Sequence, residues 1–153
     1  MAANYSPMTW QGTRWAAPDH THAGHPSAQV ESGTLRFAGM GPWNGGDLNF
    51  AKVPVLAFIA PASGSYNVTG TASAKPWEGG AKTFPLSFRK RDTQRAAELS
   101  TIQLPRDATP VPFTFEIELT AGHELLFVPM MHGLYHNAVN FTIEGLNIER
   151  ETP

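Results

Sequence analysis

Alternation of apolar and polar residues is the main pattern of this chain from about residue 53 onwards. In segment 111–119 every second residue is apolar, and the residues between them are mostly polar. A period of two places one set of side chains in a core and the other in water, as in a half-buried β-strand. The inward set predicted for this strand is Phe113, Phe115, Ile117 and Leu119. The outward set is Thr114, Glu116, Glu118 and Thr120.

Segment 53–71 predicts a strand, a tight corner and a second strand. A short apolar run comes first and is broken by Pro61, Ser63 and Gly64. Alternation then resumes, with one set of side chains facing inward and the other facing water. The predicted inward set is Tyr66, Val68 and Gly70, and the outward set is Ser65, Asn67, Thr69 and Thr71.

Four further segments complete the predicted β-structure. These strands cover residues 83–89, 99–104, 125–128 and 139–148. Pro85 lies inside the first of them and favours an edge position or a bulge, because proline cannot donate to a sheet ladder. Gly145 predicts a bulge that shifts the phase of the last strand before Leu146 and Ile148. Strands at this spacing without helical periodicity predict an all-β fold, an antiparallel β-sandwich or jelly roll.

Residues 1–50 show little regular pattern, apart from one short strand predicted at 34–37. The sequence therefore predicts a long irregular N-terminal arm, residues 1–50, followed by a jelly-roll β-sandwich, residues 51–153. Ordering a backbone costs about 1–2 kcal/mol per residue, so contacts must offset that cost along the arm. The surface of the same domain and neighbouring chains are both possible sources of such contacts. Trp10, Trp15 and Trp43 supply apolar area for either.

Composition excludes several classes of protein. The 153 residues suffice for one domain with its own core. Charged residues make up only 16%, and the net charge of −2 comes without a basic block, so we expect no nucleic-acid binding. Cysteine is absent, which excludes disulfides and thiolate chemistry. No apolar run is long enough for a membrane span, and the first residues lack a signal-peptide pattern, which disfavours secretion.

The corner FIAPASGSYNVTGTAS and two later segments, LTAGHELLF and NFTIEGLNIE, together resemble a known type of jelly-roll head module. The matching positions are Phe58, Ala60, Pro61, Gly64 and Tyr66 in FIAPASGSY, then Leu119, Gly122, His123 and Leu125 in LTAGHELLF. This pattern is similar to the complement-type globular head and the tumour-necrosis-factor-like fold. His123 departs from it, since that family usually has Asp there. The resemblance implies a fold that also occurs in capsid decoration proteins and fibre heads of tailed phages. Carbohydrate-binding sandwiches use nearly the same corner.

A histidine cluster is the main candidate for a metal site. His20, His22 and His25 lie within six residues, and imidazole is a common metal ligand. Glu31 follows, but the second half of a cupin-like ligand set is not recognisable. A polar, histidine-rich loop is the better explanation of the cluster, so we expect no cofactor.

Catalysis has little support in the sequence. Glu116 and Glu118 share one predicted strand face at a spacing that a glycosidase pair would allow, but glutamates are common on solvent-facing strands. Ser63 lacks the G-x-S-x-G pattern of a nucleophile and any identifiable His or acid partner. We therefore expect a protein without enzymatic activity.

Five aromatic residues are predicted to lie in arms or loops: Trp10, Trp15, Trp43, Trp77 and Tyr135. Such residues stack on sugar rings, anchor protein interfaces or cap the ends of a sandwich, and the sequence leaves all three roles open.

The sequence favours a non-catalytic capsid decoration (cement) protein on the virion surface, made in the host cytoplasm. Its arm would bind the major capsid protein or other subunits through Trp10, Trp15 and Trp43. The resemblance implies a homo-oligomer, with a trimer as the favoured state. The alternative is a secreted carbohydrate-binding module, with Trp77 and Tyr135 as the glycan platform. A third hypothesis is a metal-dependent enzyme that uses the histidine cluster.

Overall fold

The computed structural model describes residues 7–10, 12, 15–16, 27–40, 54–76, 83–92, 95–129 and 138–152. Eleven β-strands lie within these ranges. They are β1 Thr9–Trp10, β2 Trp15–Ala16, β3 Ser27–Glu31, β4 Thr34–Met40, β5 Leu56–Ile59, β6 Gly64–Pro76, β7 Thr83–Arg91, β8 Ala96–Pro105, β9 Val111–Leu119, β10 Glu124–Pro129 and β11 Ala138–Arg150. Across the described ranges, no helix has the length and apolar character needed to cross a membrane.

The strands form two antiparallel sheets of unequal size. Sheet A has seven strands in the order β1-β2-β3-β4-β11-β6-β9, and sheet B has four in the order β5-β10-β7-β8. From β4 onwards the chain passes repeatedly between the sheets, since β4, β6, β9 and β11 lie in sheet A and β5, β7, β8 and β10 in sheet B. Eight strands wound between two sheets in this way form a jelly roll. The predicted all-β jelly-roll sandwich is confirmed.

The core lies between the two sheets and is rich in aromatic side chains. Phe88 of β7 is at its centre, with ring centroids 5.1 Å from Phe113, 4.9 Å from Phe115 and 5.6 Å from Phe127. Because Phe113 and Phe115 belong to sheet A and Phe127 to sheet B, this cluster ties the two sheets together. The alternation predicted for β6, β9 and β11 is confirmed by the buried residues Tyr66, Val68, Phe113, Ile117, Leu119, Phe141 and Ile143.

The bulge predicted at Gly145 is confirmed. Glu144 pairs with Thr71 and Asn147 with Thr69, so two residues of β11 stand opposite Gly70 alone. Gly145 has φ of 59°, a left-handed conformation that glycine adopts without steric cost. The extra residue changes the phase of β11, and Leu146 therefore packs against the core.

The edge position that Pro85 suggested for β7 is wrong. β7 lies inside sheet B, between β10 and β8. Proline is tolerated because Pro85 pairs with Gln103 of β8, whereas the pairing with β10 ends one residue later, at Leu86. The bulge in this strand pair falls after Phe88 instead.

The corner between β5 and β6 is held by hydrogen bonds that account for the recurring residues of its motif. The hydroxyl of Tyr66 donates to the carbonyl oxygen of Ala62 at 2.5 Å. The guanidinium of Arg150 donates to the carbonyl oxygen of Ser63 at 2.6 and 3.0 Å. A Cβ at Gly64 would lie 2.8 Å from Arg150 Nε, and its φ of 154° also favours glycine. These motif residues therefore stabilise the fold.

The same corner is fastened to the turn between β9 and β10. Gly122 N donates to the carbonyl oxygen of Ala60, and Ala60 N donates to that of His123. The hydroxyl oxygen of Ser63 accepts a hydrogen bond from Ala121 N at 2.9 Å. Ser63, which lacks the sequence pattern of a nucleophile, thus stabilises the contact between the corner and this turn.

More regular structure lies within residues 1–50 than the sequence pattern indicated. The predicted strand at 34–37 is longer in the structure and covers Thr34–Met40. It pairs with β11 on one side and with β3 on the other. Phe37 is buried in the core, so this part of the segment belongs to the sandwich. The division of the chain at residue 50 stays a prediction.

The turn between β8 and β9 is closed by Asp107. Its carboxylate accepts a hydrogen bond from Thr109 N at 3.0 Å, and Ala108 between them has a positive φ of 65°. Hydrogen bonds from the hydroxyl and the backbone N–H of Thr109 lower the pKa of Asp107 from its ordinary value.

Candidate functional site

A row of core residues continues across sheet A until it reaches solvent. Residues paired directly across antiparallel strands point to the same face of a sheet. The row follows the register through Ala74, Phe141, Phe37, Ala28, Trp15 and Trp10. Its first three members are buried, Ala28 is half-buried, and Trp15 and Trp10 are 38% and 53% exposed. Among the described residues, the core-facing side of sheet A is therefore exposed at one end, at Trp15 and Trp10.

The cause is the difference in strand number between the sheets. β8 and β9 are consecutive edge strands joined by a short turn, so β5, the other edge of sheet B, lies on the side of β4. With the sheets aligned in this way, the four strands of sheet B lie opposite β4, β11, β6 and β9, and β1, β2 and β3 have no described strand of sheet B opposite them. Val30 on β3, in the next row, is 59% exposed for the same reason.

We call this surface the ledge. Its floor consists of Trp10, Trp15, Ala28 and Val30, and its wall is the outer edge of β5. The rings of Trp10 and Trp15 pack against each other with centroids 4.6 Å apart and an interplanar angle of 54°. Both were predicted as interface residues, and the structure places them side by side on paired strands.

The wall of the ledge presents backbone hydrogen-bonding groups. Ala60 N donates to His123 O, so residue 60 faces β10. In an antiparallel pair the bonded residues alternate, which directs Phe58 towards β10 and turns the N–H and C=O groups of Ala57 and Ile59 away from it. No strand in the described part of the chain pairs with this outer edge.

The opposite side of sheet A is polar, and we call it the polar face. Along β6 every second residue is a neutral hydrogen-bonding side chain, at intervals of about 7 Å. This series is Ser65, Asn67, Thr69, Thr71 and Ser73. The outward direction predicted for its first four members is confirmed by burial of the residues between them.

An open depression of about 480 Å³ lies in the middle of the polar face. Its side chains come from three neighbouring strands that meet at the bulge of β11. Thr69, Thr71 and Thr114 supply hydroxyl groups, Glu144 supplies a carboxylate, and Pro112 supplies apolar surface. Gly145 leaves the rim open, since a Cβ there would meet no atom within 4 Å.

Carboxylates flank the depression on the same face. Glu116 accepts a hydrogen bond from the Ser65 hydroxyl at 2.7 Å, and Glu151 accepts one from Asn67 Nδ2 at 2.8 Å. Glu118 lies next along β9 and is exposed. The structure thus places Glu116 and Glu118 on one exposed face, as predicted, and the absence of a catalytic role for them stays a prediction.

The ledge and the polar face are separate surfaces. They lie on opposite sides of sheet A, and five strand spacings separate β1 from β6. At about 4.8 Å per spacing this is roughly 24 Å, so a small ligand cannot contact both.

The remaining predicted residues lie outside the described ranges: Trp43, Trp77, Tyr135, His20, His22 and His25. Within the described ranges, no group of three or more His, Asp or Glu residues is placed to hold a metal ion. In sequence, Trp77 directly follows Pro76, the end of β6, and the segment that contains Tyr135 precedes Ala138, the start of β11. These two strand ends lie side by side, because Pro76 pairs with Val139.

Sequence reasoning missed four residues of the ledge. They are Ala28, Val30, Ala57 and Ile59, which carry no polar side chain, and their role follows from an exposed row and a strand edge that no described strand pairs with. No signal in the sequence states how many strands each sheet has. His123, by contrast, was noted as unusual, and its Nδ1 is buried without a hydrogen-bond partner in the described structure.

Comparison with known proteins gives similarity of fold alone. No family model and no curated protein matches the chain. A solved structure described as "CBM4 structure and function" is 12% identical with a TM-score of 0.49, covering 81% of this chain and 88% of its own. The N-terminal cellulose-binding domain of Cellulomonas fimi β-1,4-glucanase C is 11% identical with a TM-score of 0.49, covering 83% and 84%. Murine APRIL is 12% identical with a TM-score of 0.34, covering 84% of each chain. We draw no argument about function from similarities of this size.

Proposed function

We propose that this protein is a non-catalytic carbohydrate-binding module whose polar face binds a glycan. The observation that carries the proposal is the depression in that face, where Thr69, Thr71 and Thr114 converge beside Glu144.

The chemistry of the depression suits a sugar. Each sugar hydroxyl both donates and accepts hydrogen bonds, and threonine hydroxyls do the same. The carboxylate of Glu144 adds an acceptor, and Pro112 offers an apolar patch to the C–H face of a ring. Ligand sites typically combine an apolar surface with a few placed polar groups in this manner.

The strands that form the polar face also extend far enough for an oligosaccharide. β6 and β11 each contain 13 residues, and the depression lies near their middle. The predicted platform of Trp77 and Tyr135 adjoins the far end of the same two strands in sequence, and its contribution stays a prediction.

Replacing Thr69, Thr71 and Thr114 together with valine is expected to weaken glycan binding by a factor of about 10 or more. Valine keeps the β-branched shape and removes the hydroxyl, and three lost hydrogen bonds of about 0.5–1.5 kcal/mol each add up to at least one factor of ten. A glycan array would identify the ligand, and isothermal titration calorimetry would measure the change.

The matched control is Thr101→Val, which removes an exposed threonine hydroxyl from β8 of sheet B and should leave affinity unchanged. Equal affinity of the triple variant and the wild type would contradict a site on the polar face. Loss of binding in Trp77→Ala alone would move the site to the predicted platform.

Decoration of a larger protein assembly, such as a capsid on the virion surface, is the second candidate. It is favoured by the exposed Trp10–Trp15 pair, because tryptophan is enriched among the residues that dominate protein interfaces. Under this hypothesis the partner is the major capsid protein or another subunit, and trimer formation stays a prediction.

A further inference from the structure

We propose that the ledge binds an extended segment of a partner protein, which pairs with β5 as an added strand of sheet B. This inference goes beyond glycan binding and uses a different surface. Two independent features of the ledge carry it: the outer edge of β5, with which no described strand pairs, and the apolar floor.

The open edge supplies the hydrogen bonds. Ala57 and Ile59 each turn one N–H and one C=O away from β10, as the alternation from Ala60 requires. An extended peptide laid along this edge would satisfy these four groups. Addition of a strand to an exposed edge is a common mode of peptide recognition, in which backbone bonds provide affinity.

The floor supplies the side-chain contacts. Packed sheets lie about 10 Å apart, so a strand added beside β5 would lie one layer above the uncovered part of sheet A. Every second side chain of the peptide would then point at Val30, Ala28 and Trp15, as those of β5 point at the core through Leu56 and Phe58.

The exposed area favours a single strand over a second copy of this chain. Trp10, Trp15 and Val30 are 53%, 38% and 59% exposed. With up to about 250 Å² for each tryptophan and less for valine, the three together offer roughly 300 Å². A stable protein interface buries about 800 Å² on each partner, so face-to-face dimerisation of the floor falls well short. An added strand depends less on area because its backbone bonds contribute to binding.

The chemistry of the partner segment follows from this geometry. Residues that face the floor should be apolar and uncharged, since the described floor consists of tryptophan, alanine and valine. In antiparallel pairing, bonded residues share a face, so the residues opposite Ala57 and Ile59 point outward and should be polar. The segment therefore alternates between apolar and polar residues.

A suitable probe is the acetylated and amidated peptide Lys-Val-Thr-Val-Thr-Val-Lys. Its two threonines would pair with Ala57 and Ile59, and its three valines would face the floor. We expect the full-length protein to bind it with a dissociation constant below about 1 mM in a calorimetric or NMR titration, a weak affinity in keeping with a short strand. N-methylation of both threonines should weaken binding by at least about tenfold, because it removes the pairing donors.

Ala57→Pro tests the same bonds from the protein side. Proline at position 57 removes only the N–H that points away from β10, so the hydrogen bonds between β5 and β10 are kept. The matched control is Ala57→Ser, which retains this outward N–H. We expect at least about tenfold weaker binding in Ala57→Pro and in Trp15→Ala, and unchanged binding in Ala57→Ser.

Three results would overturn this inference. They are no detectable peptide binding at 1 mM, equal binding of the N-methylated and unmodified peptides, and a glycan that binds the ledge in place of the peptide. The triple threonine variant of the polar face should bind the peptide normally, so failure of the glycan proposal and failure of this one are distinguishable.

Discussion

Replacing Phe88 with alanine should destabilise the protein by about 3–5 kcal/mol, the largest effect that we expect from any single substitution. The Phe88 side chain is fully buried, and its ring packs against Phe113, Phe115 and Phe127. Because these rings belong to both sheets, the cavity would open where the sandwich is held together. Partial collapse of the cavity would place the value at the lower end of the range.

Urea denaturation followed by circular dichroism measures this change. Leu99→Ala is the control, since Leu99 is 44% exposed on β8 and its loss should change stability by no more than about 0.5 kcal/mol. A loss below about 1 kcal/mol in Phe88→Ala would show that this ring does not join the sheets.

Gly70→Ala should destabilise the protein by about 1–3 kcal/mol, against the usual trend for strands. Alanine is normally preferred to glycine inside a strand by roughly 0.5–1 kcal/mol. At Gly70, however, an added Cβ would lie 2.6 Å from Phe113 Cζ, closer than real contacts allow. Phe113 is itself buried and directly paired with Gly70, so the ring has little room to move.

A double-mutant cycle with Phe113→Leu isolates the clash. The smaller leucine should accept the alanine methyl group, so the double variant should be more stable than the sum of the single changes predicts. Thr69→Val, one residue away on the polar face, is the control and should have little effect. Simple additivity of the two changes would exclude a steric cause.

Alternation predicted the parts of the fold in which one face of a strand is buried along its whole length. In β9 it gave both the bounds and the inward residues Phe113 and Ile117. The bulge in β11 was also predictable. Gly145 interrupts the alternation of the strand, and the apolar residues after it fall on positions one residue out of phase with those before it. In both cases the signal lies within a few consecutive residues.

Features that depend on strand pairing were not predictable. Pro85 suggested an edge strand, but its neighbours in the sheet are set by long-range pairing, which places β7 inside sheet B. β3 and the full length of β4 escaped notice because their patterns are short and weak, although Phe37 enters the core. In the described ranges sheet A has three more strands than sheet B, and the ledge results from this difference, which alternation along single segments does not reveal.

The same distinction, between features set by consecutive residues and features set by strand pairing, applies to the candidate sites. The outward direction of Thr69 and Thr71 follows from the sequence, whereas their convergence with Thr114 and Glu144 requires the register of three strands. Trp10 and Trp15 were predicted as interface residues from their residue type and their place in the N-terminal arm. Their pairing on an uncovered sheet face, next to an open strand edge, adds a specific geometry to that prediction.

Amide hydrogen exchange along β5, measured by NMR on the free protein, most directly tests whether the outer edge of β5 is open to a partner strand. We expect slow exchange at Phe58, whose amide faces β10, and fast exchange at Ala57 and Ile59, whose amides face the ledge. Equally slow exchange at all three residues would mean that this edge is already covered, and would contradict the account.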